Sequence, residues 1–283
     1  MLRKVALLIA VVLLVSCAGL KLGIANLPAR LAKVDHFPAL RFGDSRRQLV
    51  DVYVPRGARA APVVVFWYGG GFVSGRREQY RFVGAALAER GLVAILPDYG
   101  VYPPAVFPAF VTDAALAVRW ASLHAAEYGG DPKKIFLMGH SAGGYLASMV
   151  ALDRRYLAAA GGADIQVRGF IALSAPHVLN PNTDELRTIF APPSKIADWQ
   201  PLTYVSSTSP PALLIHGAAD RLVGVEQSQL LSTALRAQGV DAKLIVLPGL
   251  AHTDTLAALS VPLRRRAPVL AETVDFIQRR SAN

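Results

Sequence analysis

A chain of 283 residues, 53% hydrophobic and 18% charged, is long enough to bury the core of one large α/β domain. Its formal net charge of +10 is scattered, apart from Arg264-Arg265-Arg266 and Arg279-Arg280. No basic stripe with interleaved aromatics occurs, which argues against nucleic acid as a partner. The single cysteine, Cys17, excludes an intramolecular disulfide, and without C-x-x-C or H-E-x-x-H no metal site is expected.

The chain opens on Arg3 and Lys4, followed by an unbroken apolar run from Val5 to Val15. That is the layout of a targeting segment over residues 1–16, shorter than the ~20 apolar residues a membrane span needs. Leu14-Val15-Ser16-Cys17 follows and resembles the bacterial lipobox. The resemblance implies that Cys17 is lipidated and becomes the mature N-terminus, on a bacterial envelope membrane and facing away from the cytoplasm. Two acyl chains there suffice for stable anchoring. An ordinary signal peptide with an incidental cysteine, or an uncleaved anchor reaching Leu22, are the alternatives. Residues 17–46 then read as a tether and lead-in, and the folded domain as 47–283.

Leu49–Pro55 alternates apolar with polar, the mark of a half-buried strand. Pro62–Trp67 is β-branched and aromatic, a buried strand that runs into Tyr68-Gly69-Gly70-Gly71-Phe72. A helix is expected over Glu78–Arg90, stopped by Gly91, then a buried strand at Leu92–Pro97. Asp98–Pro104 is a loop. A long helix over Phe107–Tyr128 is closed by Gly129-Gly130-Asp131-Pro132. Further strands are expected at Ile135–Met138, Gly169–Leu173, Pro211–Ile215 and Ala242–Leu247. Helices are expected over Tyr145–Leu152, Glu226–Gln238 and Ala267–Arg279. Strands alternating with helices predict a doubly wound, mainly parallel sheet. The stretch 175–210, rich in Pro, Asn, Thr and Ser, is too long for a plain connection and is expected to be a lid.

Four places carry chemistry. Gly139-His140-Ser141-Ala142-Gly143 fits G-x-S-x-G between a strand and a helix, the context of a nucleophile elbow. The turn leaves one serine in strained backbone geometry with its hydroxyl exposed. Side chains two before and two after it would clash, and the helix N-terminus adds positive potential where an oxyanion forms. The glycines after Trp67 let backbone N–H groups face a site, and Gly70, Gly71 and Ala142 are the expected oxyanion donors. Asp220 follows the strand ending in Ile215-His216-Gly217. It could cap the next helix, but the gap to Glu226 and its place at a strand's C-terminal end favour a role beside a catalytic histidine. Of six histidines, only His252 follows both the serine and the acid, which makes it the candidate general base.

These motifs, together with Asp98-Tyr99 and Pro103, resemble the α/β-hydrolase superfamily. The resemblance lies in its branch of hormone-sensitive-lipase-like, feruloyl-esterase-like and kynurenine-formamidase-like enzymes, and it covers roughly Leu49 to the end. It implies a serine hydrolase that cleaves small-molecule esters through an acyl-enzyme on a Ser141–Asp220–His252 triad, with no cofactor. Tyr68 stands where the family usually has histidine, a loop support rather than a triad member, and Asp98 reads as a structural brace. An amidase, formamidase or peptidase would use the same residues. A non-catalytic envelope-anchored binding module is the alternative of another class; its relatives usually lack a triad member. Phe72, Tyr102, Phe107, Phe190 and Trp199 are candidates for an apolar substrate pocket.

Overall fold

The structure, a computed structural model, describes residues 22–191 and 195–282. The targeting segment and Cys17 lie outside the described residues. Eight strands form one sheet: β1 (Val34–Arg41), β2 (Leu49–Pro55), β3 (Ala61–Trp67), β4 (Val93–Pro97), β5 (Gly130–His140), β6 (Val167–Leu173), β7 (Ala212–Gly217) and β8 (Ala242–Leu247). Their order is β1-β2-β4-β3-β5-β6-β7-β8. β1 and β2 are antiparallel to their neighbours, and β4 through β8 are parallel.

The continuous apolar runs of β3 to β7 occupy the middle because both faces of a parallel sheet are covered by helices. Val63–Trp67, Ile135–Met138 and Phe170–Leu173 are all fully buried. Each Val, Leu, Ile, Phe or Met side chain among them contributes about 1.5–3 kcal/mol of burial. The helices are α1 (residues 22–29), α2 (Arg81–Ala88), α3 (Ala109–His124), α4 (Ala142–Leu152), α5 (Arg154–Ala159), α6 (Asp184–Ile189), α7 (Glu226–Ala237), α8 (Asp254–Ala257) and α9 (Val269–Ser281). α2 and α9 touch each other on one face of the sheet, and α3 packs on α4 on the other.

One expectation changes. Residues 17–46 do not all form a tether: α1 and β1 belong to the folded domain, and β1 extends the sheet through eight residues beside β2. The pattern was hard to read because β1 is an edge strand, largely exposed. Asp51 of β2 holds it from below, accepting the Ala39 N–H at 2.9 Å and lying 3.3 Å from His36 Nε2. The segment 175–210, expected to be a lid, is built of short helical pieces. It contains α6 and two 3₁₀ turns, and it buries Ile189, Phe190 and Trp199 in the core. The Phe107 N–H donates to the Ile189 carbonyl at 2.8 Å, stitching it to the start of α3.

Candidate active site

Ser141 joins β5 to α4 with φ 54° and ψ −124°, a conformation that L residues rarely adopt. Hydrogen bonds on both sides hold it: its N–H donates to the Leu173 carbonyl at 2.9 Å, and its carbonyl accepts the Tyr145 N–H at 3.0 Å. Beneath the turn, backbones touch directly. A Cβ on Gly139 would strike the Gly143 carbonyl, and one on Gly143 would strike the carbonyls of Trp67 and Tyr68.

Asp220 and His252 sit on loops after β7 and β8, far from Ser141 in sequence. The two loops are tied together: Ala218 N–H donates to the Leu247 carbonyl and Ala219 N–H to the Leu250 carbonyl, both at 2.9 Å. The result is a chain of hydrogen bonds. Ser141 Oγ lies 2.9 Å from His252 Nε2, and His252 Nδ1 lies 2.8 Å from Asp220 Oδ2. A carboxylate only accepts, so Nδ1 carries the imidazole proton and Nε2 accepts the serine hydroxyl. The Asp220 side chain is fully buried. Burial pushes its carboxyl up, but the N–H groups of Val223 and Leu222 and the imidazole of His252 outweigh it and hold the group below the ordinary range. Asp220 is therefore ionised at neutral pH while it orients the imidazole.

Two other histidines support these loops. His140 donates from Nε2 to the carbonyl of His252 at 2.9 Å. Burial, with the His252 imidazole beside it, pushes His140 down to about 3, so it remains a neutral donor. His216 donates from Nε2 to the Val223 carbonyl at 2.9 Å and accepts from Ser228 at Nδ1 at 2.8 Å; its Nε2 is 3.3 Å from Asp220 Oδ2. The sequence offered no signal for the grip of His140 on His252 beyond its adjacency to Ser141. His177 is fully buried, and neither ring nitrogen has a partner among the described residues.

The glycine loop abuts Ser141: a Cβ on Gly69 would lie 3.0 Å from Ser141 Cβ. Gly70 (φ 137°) and Gly71 (φ 62°) adopt backbone conformations that favour glycine. The Gly70 carbonyl accepts the N–H groups of Val73 and Ser74, each at 3.1 Å. The N–H groups of Gly70, Gly71 and Ala142 have no partner among the described residues. Tyr68 braces the base of the loop. Its hydroxyl donates to Asp98 Oδ1 at 2.7 Å and accepts from Arg47 at 2.8 Å; Arg47 also donates to the carbonyls of Tyr99 and Gly75. Asp98 is further paired with Arg77, which reaches Asp51 at 2.7 Å. Arg47, the first residue of the expected folded domain, is thus part of the loop's support, and no sequence motif announced it.

Phe72, Phe107, Phe190 and Trp199 pack on one another and on Phe110 and Tyr145 as buried core. Tyr102 is half-buried. The expected pocket aromatics thus form a packed cluster.

Sheet order, elbow and hydrogen-bond chain together define an α/β-hydrolase with a serine–histidine–aspartate constellation. The chain belongs to the BD-FAE family of α/β-hydrolase esterases, whose sequence model matches residues 50–235. It is 29% identical over 247 residues to isoprenylcysteine alpha-carbonyl methylesterase ICME of Arabidopsis thaliana, a match covering 79% of this chain and 57% of the plant protein. It is 31% identical over 239 residues to esterase LipC of Mycobacterium tuberculosis, covering 77% and 59%. The chain therefore spans less than three-fifths of either relative. Among solved structures, the apo form of Thermogutta terrifontis esterase 2 matches with TM-score 0.73 and 26% identity over 88% of this chain and 94% of that one. A truncated carbohydrate esterase from gut microbiota matches with TM-score 0.76 over 88% and 97%; at 20% identity that likeness is one of fold.

Proposed function

We propose that the protein hydrolyses carboxylic esters of small molecules through an acyl-enzyme on Ser141. The observation that carries this is the hydrogen-bond chain Ser141–His252–Asp220, set beside N–H groups of Gly70, Gly71 and Ala142 that have no partner among the described residues. His252 Nε2 takes the proton as Ser141 Oγ bonds to the ester carbonyl carbon. Asp220 stabilises the imidazolium, and the three N–H groups hold the tetrahedral oxyanion. Collapse breaks the bond to the alcohol oxygen, which leaves with the proton from His252. Water, deprotonated by His252, then attacks the acyl carbon and releases the acid and free Ser141. The chain's own residues complete this cycle without a cofactor.

Amide cleavage would use the same groups. The relatives are named as a methylesterase and an esterase, which favours esters. A complete hydrogen-bond chain disfavours a non-catalytic binding module. Turnover of p-nitrophenyl acetate and butyrate against the matching anilides decides the class, with a fluorophosphonate probe locating the nucleophile. Ester turnover with the probe on Ser141 is expected; anilides cleaved faster than esters, or label on another residue, would overturn the reading.

We further propose that Cys17 is diacylated and anchors the protein to a bacterial envelope membrane, on the side away from the cytoplasm. Arg3-Lys4, the apolar run Val5–Val15 and Leu14-Val15-Ser16-Cys17 support this. Detergent partitioning and mass spectrometry of the N-terminal peptide test it. A water-soluble product with a free thiol at Cys17 would reject the anchor and leave the hydrolase reading intact.

A further inference from the structure

α1 is apolar on two opposite faces. Leu22, Ala25 and Ala29 pack inward against the core. Asn26 pins the helix to the segment that follows the oxyanion loop: its Nδ2 donates to the Gln79 carbonyl at 2.7 Å, and its Oδ1 accepts the Phe82 N–H at 2.9 Å. On the far side lie Ile24, Leu27 and, in the turn that continues the helix, Leu31. They are 57%, 65% and 85% exposed. Their spacing of three and four residues keeps them within an arc of about 60°. A surface helix of a soluble domain presents polar groups there; this one presents a second apolar stripe. Arg30 and Lys33 flank it, both exposed, and neither forms an ion pair among the described residues.

The position of the stripe in the chain points to its occupant. Cys17 precedes Leu22 by five residues, a reach of at most about 18 Å even when fully extended. A lipid anchor at Cys17 would keep α1 at the bilayer surface. No helix among the described residues is long and apolar enough to cross a membrane, so lipid contact at α1 is interfacial. A second copy of the chain is a poorer occupant. Three side chains bury roughly a few hundred Å², well short of the about 800 Å² per partner of a stable protein interface.

We propose that α1 is a membrane-docking face. Ile24, Leu27 and Leu31 enter the interfacial layer of a phospholipid bilayer, and Arg30 and Lys33 meet anionic headgroups. The proposal rests on the reading of Cys17 as the lipidated residue. It replaces a tether that sets the domain off the surface with a domain seated on the membrane from residue 22 onward.

The test uses the full-length protein in vesicles of phosphatidylethanolamine and phosphatidylglycerol that carry a diazirine-tailed phospholipid. After illumination and digestion, mass spectrometry should find lipid adducts on peptides from residues 22–33 and none on the peptide bearing Leu230 of α7, an exposed apolar residue elsewhere. The variant Ile24→Ser/Leu27→Ser/Leu31→Ser should lose those adducts by about tenfold or more. It should still sediment with vesicles and turn over a water-soluble ester at the parent rate. Vesicle-bound protein without adducts on 22–33 would overturn the docking and leave the anchor standing. Adducts there, in protein whose Cys17 is a free thiol, would support docking and overturn the anchor alone. A cross-link between two copies through this face, with no lipid adduct, would overturn docking in favour of a dimer.

Discussion

The positive φ of Ser141 costs about 1–3 kcal/mol and persists because flanking backbone hydrogen bonds over-determine it. Ser141→Ala keeps that backbone, so Tm should stay near the parent value while ester turnover falls by about 10⁴-fold or more. His252→Ala should be comparable, and Asp220→Asn should cost about 10³–10⁴-fold. His216 touches Asp220 but makes no contact with Ser141, so His216→Ala should lower Tm more than it lowers kcat. Clean inactivation by His216→Ala or His177→Ala, with an active His252→Ala, would reassign the base. Tyr68 reaches the reaction only through the loop it braces. Tyr68→Phe removes a hydroxyl shared by Asp98 and Arg47. The expected result is about a tenfold drop in kcat at nearly constant KM, below the about 10²–10³-fold cost of losing an oxyanion donor outright. An unchanged kcat would make the network purely structural.

At the scale of elements, β3, β5 and α4 meet with no room for side chains. Gly143 lies against the carbonyls of Trp67 and Tyr68, which belong to the strand and loop that lead to Gly70 and Gly71. Those backbones are fixed by the sheet and cannot withdraw as a flexible side chain would. Gly143→Ala should therefore cost about 1–3 kcal/mol of stability and lower kcat in the same variant, because the same displacement moves the glycine loop. Urea unfolding and kinetics on one preparation check it; a drop in stability with an intact kcat would uncouple elbow from loop. Tyr145, one turn after Ser141, donates its hydroxyl to the Trp199 carbonyl at 2.8 Å, tying the segment that carries Trp199 to α4.

For the whole molecule, buried histidines set the response to acid. Burial pushes both His140 and His177 down to about 3 from an ordinary 6.5. Between those values the unfolded chain binds protons that the folded chain does not. Stability therefore rises with pH across this window and is lost as pH falls through it. Two such groups give a slope of about two protons per molecule, roughly 3 kcal/mol per pH unit, near pH 5. Asp51 and Asp220, both held below the ordinary carboxylate range, contribute stability that is lost at the acid end, as pH falls below their unfolded values. Urea midpoints from pH 7.5 to 4.5 measure the slope. His177→Leu should reduce it by about one proton, since the His177 ring has no hydrogen-bond partner among the described residues to lose. Constant stability between pH 7 and 5 would contradict the burial of neutral histidines.

The sequence alone determined the parallel centre of the sheet. Strands buried on both faces must be continuous apolar runs, and Pro62–Trp67 and Ile135–Met138 are unmistakable as such. It determined the elbow as well, because Gly139 and Gly143 have no alternative where backbones touch. It nominated Asp220 and His252 only by chain order and strand-end position. The contact between them was decided by tertiary structure, through backbone hydrogen bonds between the loops after β7 and β8. The edge was likewise beyond the sequence. β1 is solvent-exposed and carries no apolar period, and it exists because Asp51 and the β2 backbone pair with it. Arg47, His140 and His216 act through specific side-chain hydrogen bonds, which leave no periodic trace in the chain. The outward stripe of α1 was present in the sequence as apolar letters. Only docking of the opposite face by Leu22, Ala25 and Asn26 showed which of those letters the core leaves uncovered.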